Sequence, residues 1–105
     1  MIKVRPVVVV SARRRRGPGL CTVVPLSSVE PDPLEPYHHQ LSPIAYPPAR
    51  GAIWAKCDMA VTVSCSRLDR VKVKLSNGQR QYLVYTMPAD DMTAIDNCLR
   101  IALGL

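Results

Sequence analysis

The sequence predicts a mainly β fold, a small barrel or rolled antiparallel sheet capped by one C-terminal helix, and three observations carry that expectation. The apolar residues are Val, Leu, Ile, Ala and Met with no Phe, a β-branched-rich set that suits strands. They fall in short runs punctuated by Pro and Gly, the spacing of strands joined by turns. Helical periodicity appears only after Pro88. At 105 residues the chain fits one domain, 1–105, with a modest core.

Taken in order, residues 4–10 are almost continuously apolar, broken by Arg5-Pro6, and predict a buried strand entered through a proline. Arg13, Arg14, Arg15 and Arg16 with Gly17-Pro18-Gly19 make a charged turn, and the run from Leu20 that ends at Pro25 is the second strand. From Pro31 to Pro48 there are six prolines, which exclude a helix and predict an extended loop crossed by a short strand over 37–41. A central strand is expected over 52–59, with 60–65 extending or following it. Residues 71–75 alternate apolar and charged, Ser76-Asn77-Gly78 supplies a turn and 81–85 returns, which predicts a hairpin with its lysines in water. Met92, Ile95, Leu99 and Ala102 then give one helical face, with Asp90 and Asp91 at its positive end.

The formal charge of +6 makes a polyanionic partner plausible. The first twenty residues hold six basic groups and no acid, so the Arg13–Arg16 run is a candidate nucleic-acid contact. No run reaches the roughly 18 apolar residues that span a bilayer, and the start has no signal-peptide layout; the expected location is the cytoplasm, with no membrane partner. Cys21, Cys57, Cys65 and Cys98 are 36, 8 and 33 residues apart, unlike paired zinc ligands, so no metal site is expected and the thiols are read as buried and free.

Several side chains carry two readings each. Lys56 and Asp58 fall on one side of an extended chain, with Cys57 opposite. They are either a surface ion pair or the cation and carboxylate that RNA phosphodiester transfer needs. Arg5 is either a solvated strand-edge residue or a phosphate clamp. Ser27 and Ser28 either donate to a phosphate or close a turn. His38 and His39, if extended, point to opposite faces, so at most one serves a given site, as a general base or as a loop histidine in a hydrogen bond. There is no Gly-x-Ser-x-Gly elbow and no phosphate-binding glycine loop.

In order, Arg5-Pro6-Val7-Val8-Val9-Val10-Ser11, the stretch from Gly19 through Val24-Pro25-Leu26-Ser27-Ser28, and Trp54-Ala55-Lys56-Cys57-Asp58-Met59 resemble the MazF/PemK toxin family. That family carries Arg-Pro before apolar residues and serine, then Val-Pro-x-Thr-Ser, then Arg-Cys-Asp-Gln or x-x-Asp-Gln, and ends in a helix patterned like 95–105. The resemblance covers nearly the whole chain, and the ordered set is what makes it specific. It implies the toxin of a type II toxin-antitoxin system: an SH3-like barrel, a homodimer with RNA in a groove, and a cognate antitoxin over that groove. The implied activity is sequence-selective, metal-independent and cofactor-free cleavage of single-stranded RNA through a 2′,3′-cyclic phosphate.

By position, Arg5 resembles the family's catalytic arginine, Ser27 stands where its phosphate-site threonine lies, and Lys56 and Asp58 stand where some members keep an Arg and Asp pair. Lys56 loses the bidentate geometry of arginine, and Met59 replaces the usual glutamine. The family's earlier strand, with Gly-Asp-x-x-Trp and a Gly-x-Glu loop, normally precedes Arg-Pro. Here Met1 stands four residues before Arg5, so that strand and part of the loop are expected to be lacking, either because the start lies further upstream or because this is a shortened relative. A related branch of the fold poisons DNA gyrase by binding alone, which leaves a non-catalytic growth inhibitor, or a DNA-, RNA- or protein-binding module, as the alternative.

Overall fold

The computed structural model describes residues 5–11, 19–68, 70–74 and 76–105. The expected arginine cluster Arg13, Arg14, Arg15 and Arg16 therefore lies outside the described residues.

The sheet is organised around one long strand, β2 (Leu20–Ser27), which follows β1 (Val7–Val9). β1 runs antiparallel to it with Val8 opposite Val24, and the pairing is prolonged at both ends by Val10 N–H to Thr22 O and Leu26 N–H to Pro6 O. β3 (His38–Gln40) pairs with β4 (Trp54–Lys56), and β4 pairs with the second half of β2. β5 (Val61–Ser64) pairs with the first half of β2. The result is a five-stranded antiparallel sheet.

Two expectations fail at one place, for one reason. The second strand does not stop at Pro25 but runs on to Ser27, and the strand expected over 52–59 stops at Lys56 and turns into a 3-10 turn over Cys57–Met59. Leu26 pairs with Ala55 while Val23 pairs with Val61, so Pro25 faces the interval where the turn replaces the ladder. A proline in mid-strand normally forfeits a ladder bond. Here the partner strand has none to offer, and the proline is accommodated.

β6 (Val71–Lys74) and β7 (Arg80–Leu83) form the expected hairpin, in register Val71 opposite Leu83. Gly78 takes a positive φ of 86° in its turn, a conformation that favours glycine. The helix α1 (Ala89–Leu103) begins at Pro88 and is closed by Gly104 in the left-handed conformation, whose N–H meets Ile101 O while Leu105 N–H meets Arg100 O. That is the hydrogen-bond pattern of a glycine-terminated helix.

The helix packs on the sheet through Ile95 and Cys98, against Val8, Val24, Leu26, Ala55 and Cys57, with Met92 and Leu99 at the margin. Ile95, Val24 and Ala55 are fully buried. The fold is thus mainly β, an antiparallel sheet with one C-terminal helix, as the sequence predicts. Among the described residues no helix is long and apolar enough to cross a membrane.

Candidate active site

Side chains of cross-strand partners project to the same side of a sheet, and the side alternates along each strand. Leu26, Ala55 and His39 form one row across β2, β4 and β3. With Val8 and Val24 they occupy the face that meets α1. The adjacent rows project the other way. Ser27 pairs with Trp54, and continuing the β1 register one step past the Pro6–Leu26 bond sets Arg5 across from Ser27. Two residues along β4 from Trp54, Lys56 pairs with His38.

Arg5, Ser27, Lys56 and His38 therefore share the face turned away from the helix. From sheet spacings the Cα atoms of Arg5 and Lys56 are about 12 Å apart, a gap that two long cationic side chains can close around one phosphate. Arg5 is exposed, Lys56 and Ser27 half-buried, and Ser28 exposed just beyond the strand.

The Ser27 hydroxyl oxygen accepts the Val29 N–H at 3.1 Å, closing the turn after β2. Its own O–H remains a donor, so closing a turn and donating to a phosphate are compatible.

Asp58 reaches the site by a route that the sequence does not reveal. An unbroken strand through Met59 would align it with Lys56, but the turn at Cys57–Met59 breaks that alternation, and among the described residues no ion pair joins the two. Asp58 instead faces His38, its Oδ1 3.7 Å from Nε2. The other ring nitrogen, Nδ1, accepts the Glu35 N–H at 3.0 Å. In the neutral ring the proton therefore sits on Nε2 and points at the carboxylate. His38 is no exposed loop histidine: it lies in β3, its side chain is 9% exposed, and Tyr37 packs edge-on against it at 4.7 Å.

Tyr37 is a neighbour that sequence reasoning passes over. Burial pushes its phenol up from the ordinary value, and the negative charges of Asp58 and Glu35 push it further. Its O–H stays protonated beside the carboxylate.

His39 faces the other way, as strand alternation predicts, and has a separate carboxylate. Its Nε2 lies 2.8 Å from Asp91 Oδ1, which also accepts the Ser42 N–H at 3.0 Å, while Ser42 Oγ donates to Asp91 Oδ2 at 2.5 Å. Asp91 is 3% exposed. Burial opposes its ionisation, but the hydrogen bonds from Ser42 and His39 outweigh that and hold its carboxyl below the ordinary value. This cluster ties the first turn of α1 to the segment after β3. It positions His38 indirectly, because both histidines hang on one three-residue strand.

A family model described as the PemK-like, MazF-like toxin of type II toxin-antitoxin systems matches residues 1–103. No curated protein matches the sequence.

Proposed function

This chain belongs to the PemK-like, MazF-like toxins of type II toxin-antitoxin systems, and from that premise we propose that it is a cytoplasmic, metal-independent endoribonuclease acting on single-stranded RNA. An antitoxin protein is its implied partner. The observation that carries the reading is the gathering of Arg5, Ser27, Lys56 and His38 on one sheet face, with Asp58 brought in beside His38.

In this reading the 2′-oxygen attacks the adjacent phosphorus and the 5′-oxygen of the next nucleotide departs, leaving a 2′,3′-cyclic phosphate. Asp58 takes the 2′-hydroxyl proton. His38 is a positioning residue, since its Nε2–H faces the carboxylate and its Nδ1 is already engaged. Arg5 compensates the charge that grows on the non-bridging oxygens, and Ser27 donates its O–H to one of them. The leaving oxygen takes its proton from Lys56, because an ammonium can release a proton and a guanidinium effectively cannot. Arg5, together with Lys56 until it gives up its proton, supplies the charge stabilisation that a metal ion supplies elsewhere.

Arg13, Arg14, Arg15, Arg16 and Ser28 extend the RNA contact beyond the reacting phosphate, holding the backbone without reading bases. The acting species is a homodimer: among the described residues β1 and β5 flank the first half of β2, and half-exposed Val9 and Val61 lie in one row on either side of Val23, an apolar strip of the kind a second copy covers. The test is incubation with single-stranded RNA in excess EDTA and analysis of the product ends. Cyclic phosphate and 5′-hydroxyl ends support the reading. RNA that is bound and left intact makes the protein a binding-only inhibitor.

A further inference from the structure

All four cysteines are free thiols, yet none stands alone. Cys57 and Cys98 meet beneath α1, and Cys21 and Cys65 meet at the opposite end of the sheet, each pair with its sulfurs within hydrogen-bonding reach. The two pairs differ in what surrounds them. Cys57 and Cys98 are both buried, and their thiols are directed at the carbonyls of Ile95 and Pro36. Burial, with Cys98 alongside, pushes the Cys57 thiol up to about 12, which keeps it a thiol and unreactive. Cys65 is exposed, and only its partner Cys21 is buried.

The backbone prepares the second pair for bonding. Cys21 pairs with Val63 and Leu20 with Ser64, and the Cys65 N–H bonds to Gly19 O. Cys65 therefore lies diagonal to Cys21 on the same side of the β2–β5 ladder. Diagonal neighbours ordinarily stand about 7 Å apart, close to the upper limit for a disulfide. The remaining closure falls on the turn Cys65–Arg67, whose three residues are all exposed and begin where β5 ends.

We propose that Cys65 and Cys21 form a peroxide-responsive thiol pair, in which exposed Cys65 is the attacking thiol and buried Cys21 the resolving one. The Cys65 thiolate attacks one oxygen of a hydroperoxide, the O–O bond breaks, and Cys65 becomes a sulfenic acid while the peroxide leaves as hydroxide or alcohol. The Cys21 sulfur then attacks the Cys65 sulfur. A disulfide forms, the sulfenic oxygen departs as water with the Cys21 proton, and two electrons have passed from the thiols to the peroxide. A small dithiol reverses the step by exchange. The oxidised chain is cross-linked between the start of β2 and the end of β5, and Cys21 stands five residues after Arg16 in sequence.

The full-length protein should be treated with a slight excess of hydrogen peroxide and followed by intact mass and peptide mapping. The expected result is loss of two hydrogens, mapped to a Cys21–Cys65 disulfide, recovery of the original mass with dithiothreitol, and Cys57 and Cys98 still alkylatable after denaturation. Cys65→Ser, at an exposed position, should abolish the mass loss without disturbing the fold. Cys21→Ala should leave Cys65 as a sulfenic acid that dimedone labels. A disulfide that maps to Cys57–Cys98, a Cys65–Cys65 link between two chains, or undiminished oxidation of Cys65→Ser would overturn the proposal.

Discussion

His38 turns its Nε2 toward Asp58 Oδ1 at 3.7 Å while its Nδ1 is held by the Glu35 N–H. A ring fixed in this way is a donor on its Asp58 side, which makes the carboxylate the base and the imidazole its support. Loss of a positioned base typically costs a hundredfold or more, so Asp58→Asn should slow cleavage by about that factor. His38→Ala should cost less, and His38→Gln, which keeps a side-chain N–H, should recover most of that loss. Single-turnover rates on a short RNA check both. A His38→Gln rate no better than that of His38→Ala would assign proton abstraction to the ring itself.

Arg5 is exposed and stands opposite Ser27. If it compensates the growing phosphorane charge, Arg5→Ala removes about 3 kcal/mol of transition-state stabilisation, a loss of roughly a hundredfold in rate. Arg5→Lys should retain part of the activity, because the charge is kept while the bidentate geometry is not. Equal rates for wild type and Arg5→Ala in the same cleavage assay would leave Arg5 a solvated edge residue.

The Asp91 cluster predicts a stability that depends on pH. The folded carboxyl titrates below its unfolded value, so its contribution is complete above the ordinary carboxylate range, about pH 4, and is lost as pH falls through the folded value. Asp91→Asn should lower stability by about 2 kcal/mol at neutral pH. Urea denaturation of both proteins from pH 7 downward should show the gap narrowing below about pH 4. A gap that stays constant across that range would mean Asp91 contributes through packing, not charge.

Residues that act through local periodicity were legible in the sequence. The hairpin around Asn77-Gly78, the apolar face of α1 and the opposite facing of His38 and His39 all follow from spacings of two or three to four residues. Departures came where two distant segments decide together. Pro25 reads as a strand end until the break in the facing strand is known, and Asp58 reads as a neighbour of Lys56 until Cys57–Met59 turns it toward His38. Asp91 lies 52 residues from His39, and only the helix packing brings its carboxylate to the ring. Tyr37 and the Cys21–Cys65 pair became visible through burial and register for the same reason.

Charge-neutral replacement of Arg13, Arg14, Arg15 and Arg16 should weaken RNA binding broadly and flatten its salt dependence, by about 0.7 in log–log slope for each phosphate no longer neutralised. The preferred cleavage sequence should be unchanged, since interactions with phosphate carry no base information. Binding titrations at several salt concentrations, with sequencing of the cleavage products, measure both. An altered sequence preference at unaltered slope would give these arginines a role in reading bases.

In the proposed reaction Arg5, Ser27, Lys56 and Asp58 drive attack by the RNA's own 2′-hydroxyl. The most direct measurement uses a preferred RNA carrying a single 2′-deoxy nucleotide immediately 5′ of the cut, incubated with the full-length protein in excess EDTA beside the all-ribose control. The control should be cut to cyclic phosphate ends while the modified linkage survives intact. Cleavage that continues at the deoxy position, or cleavage of the control that stops when metal is removed, would contradict this reaction.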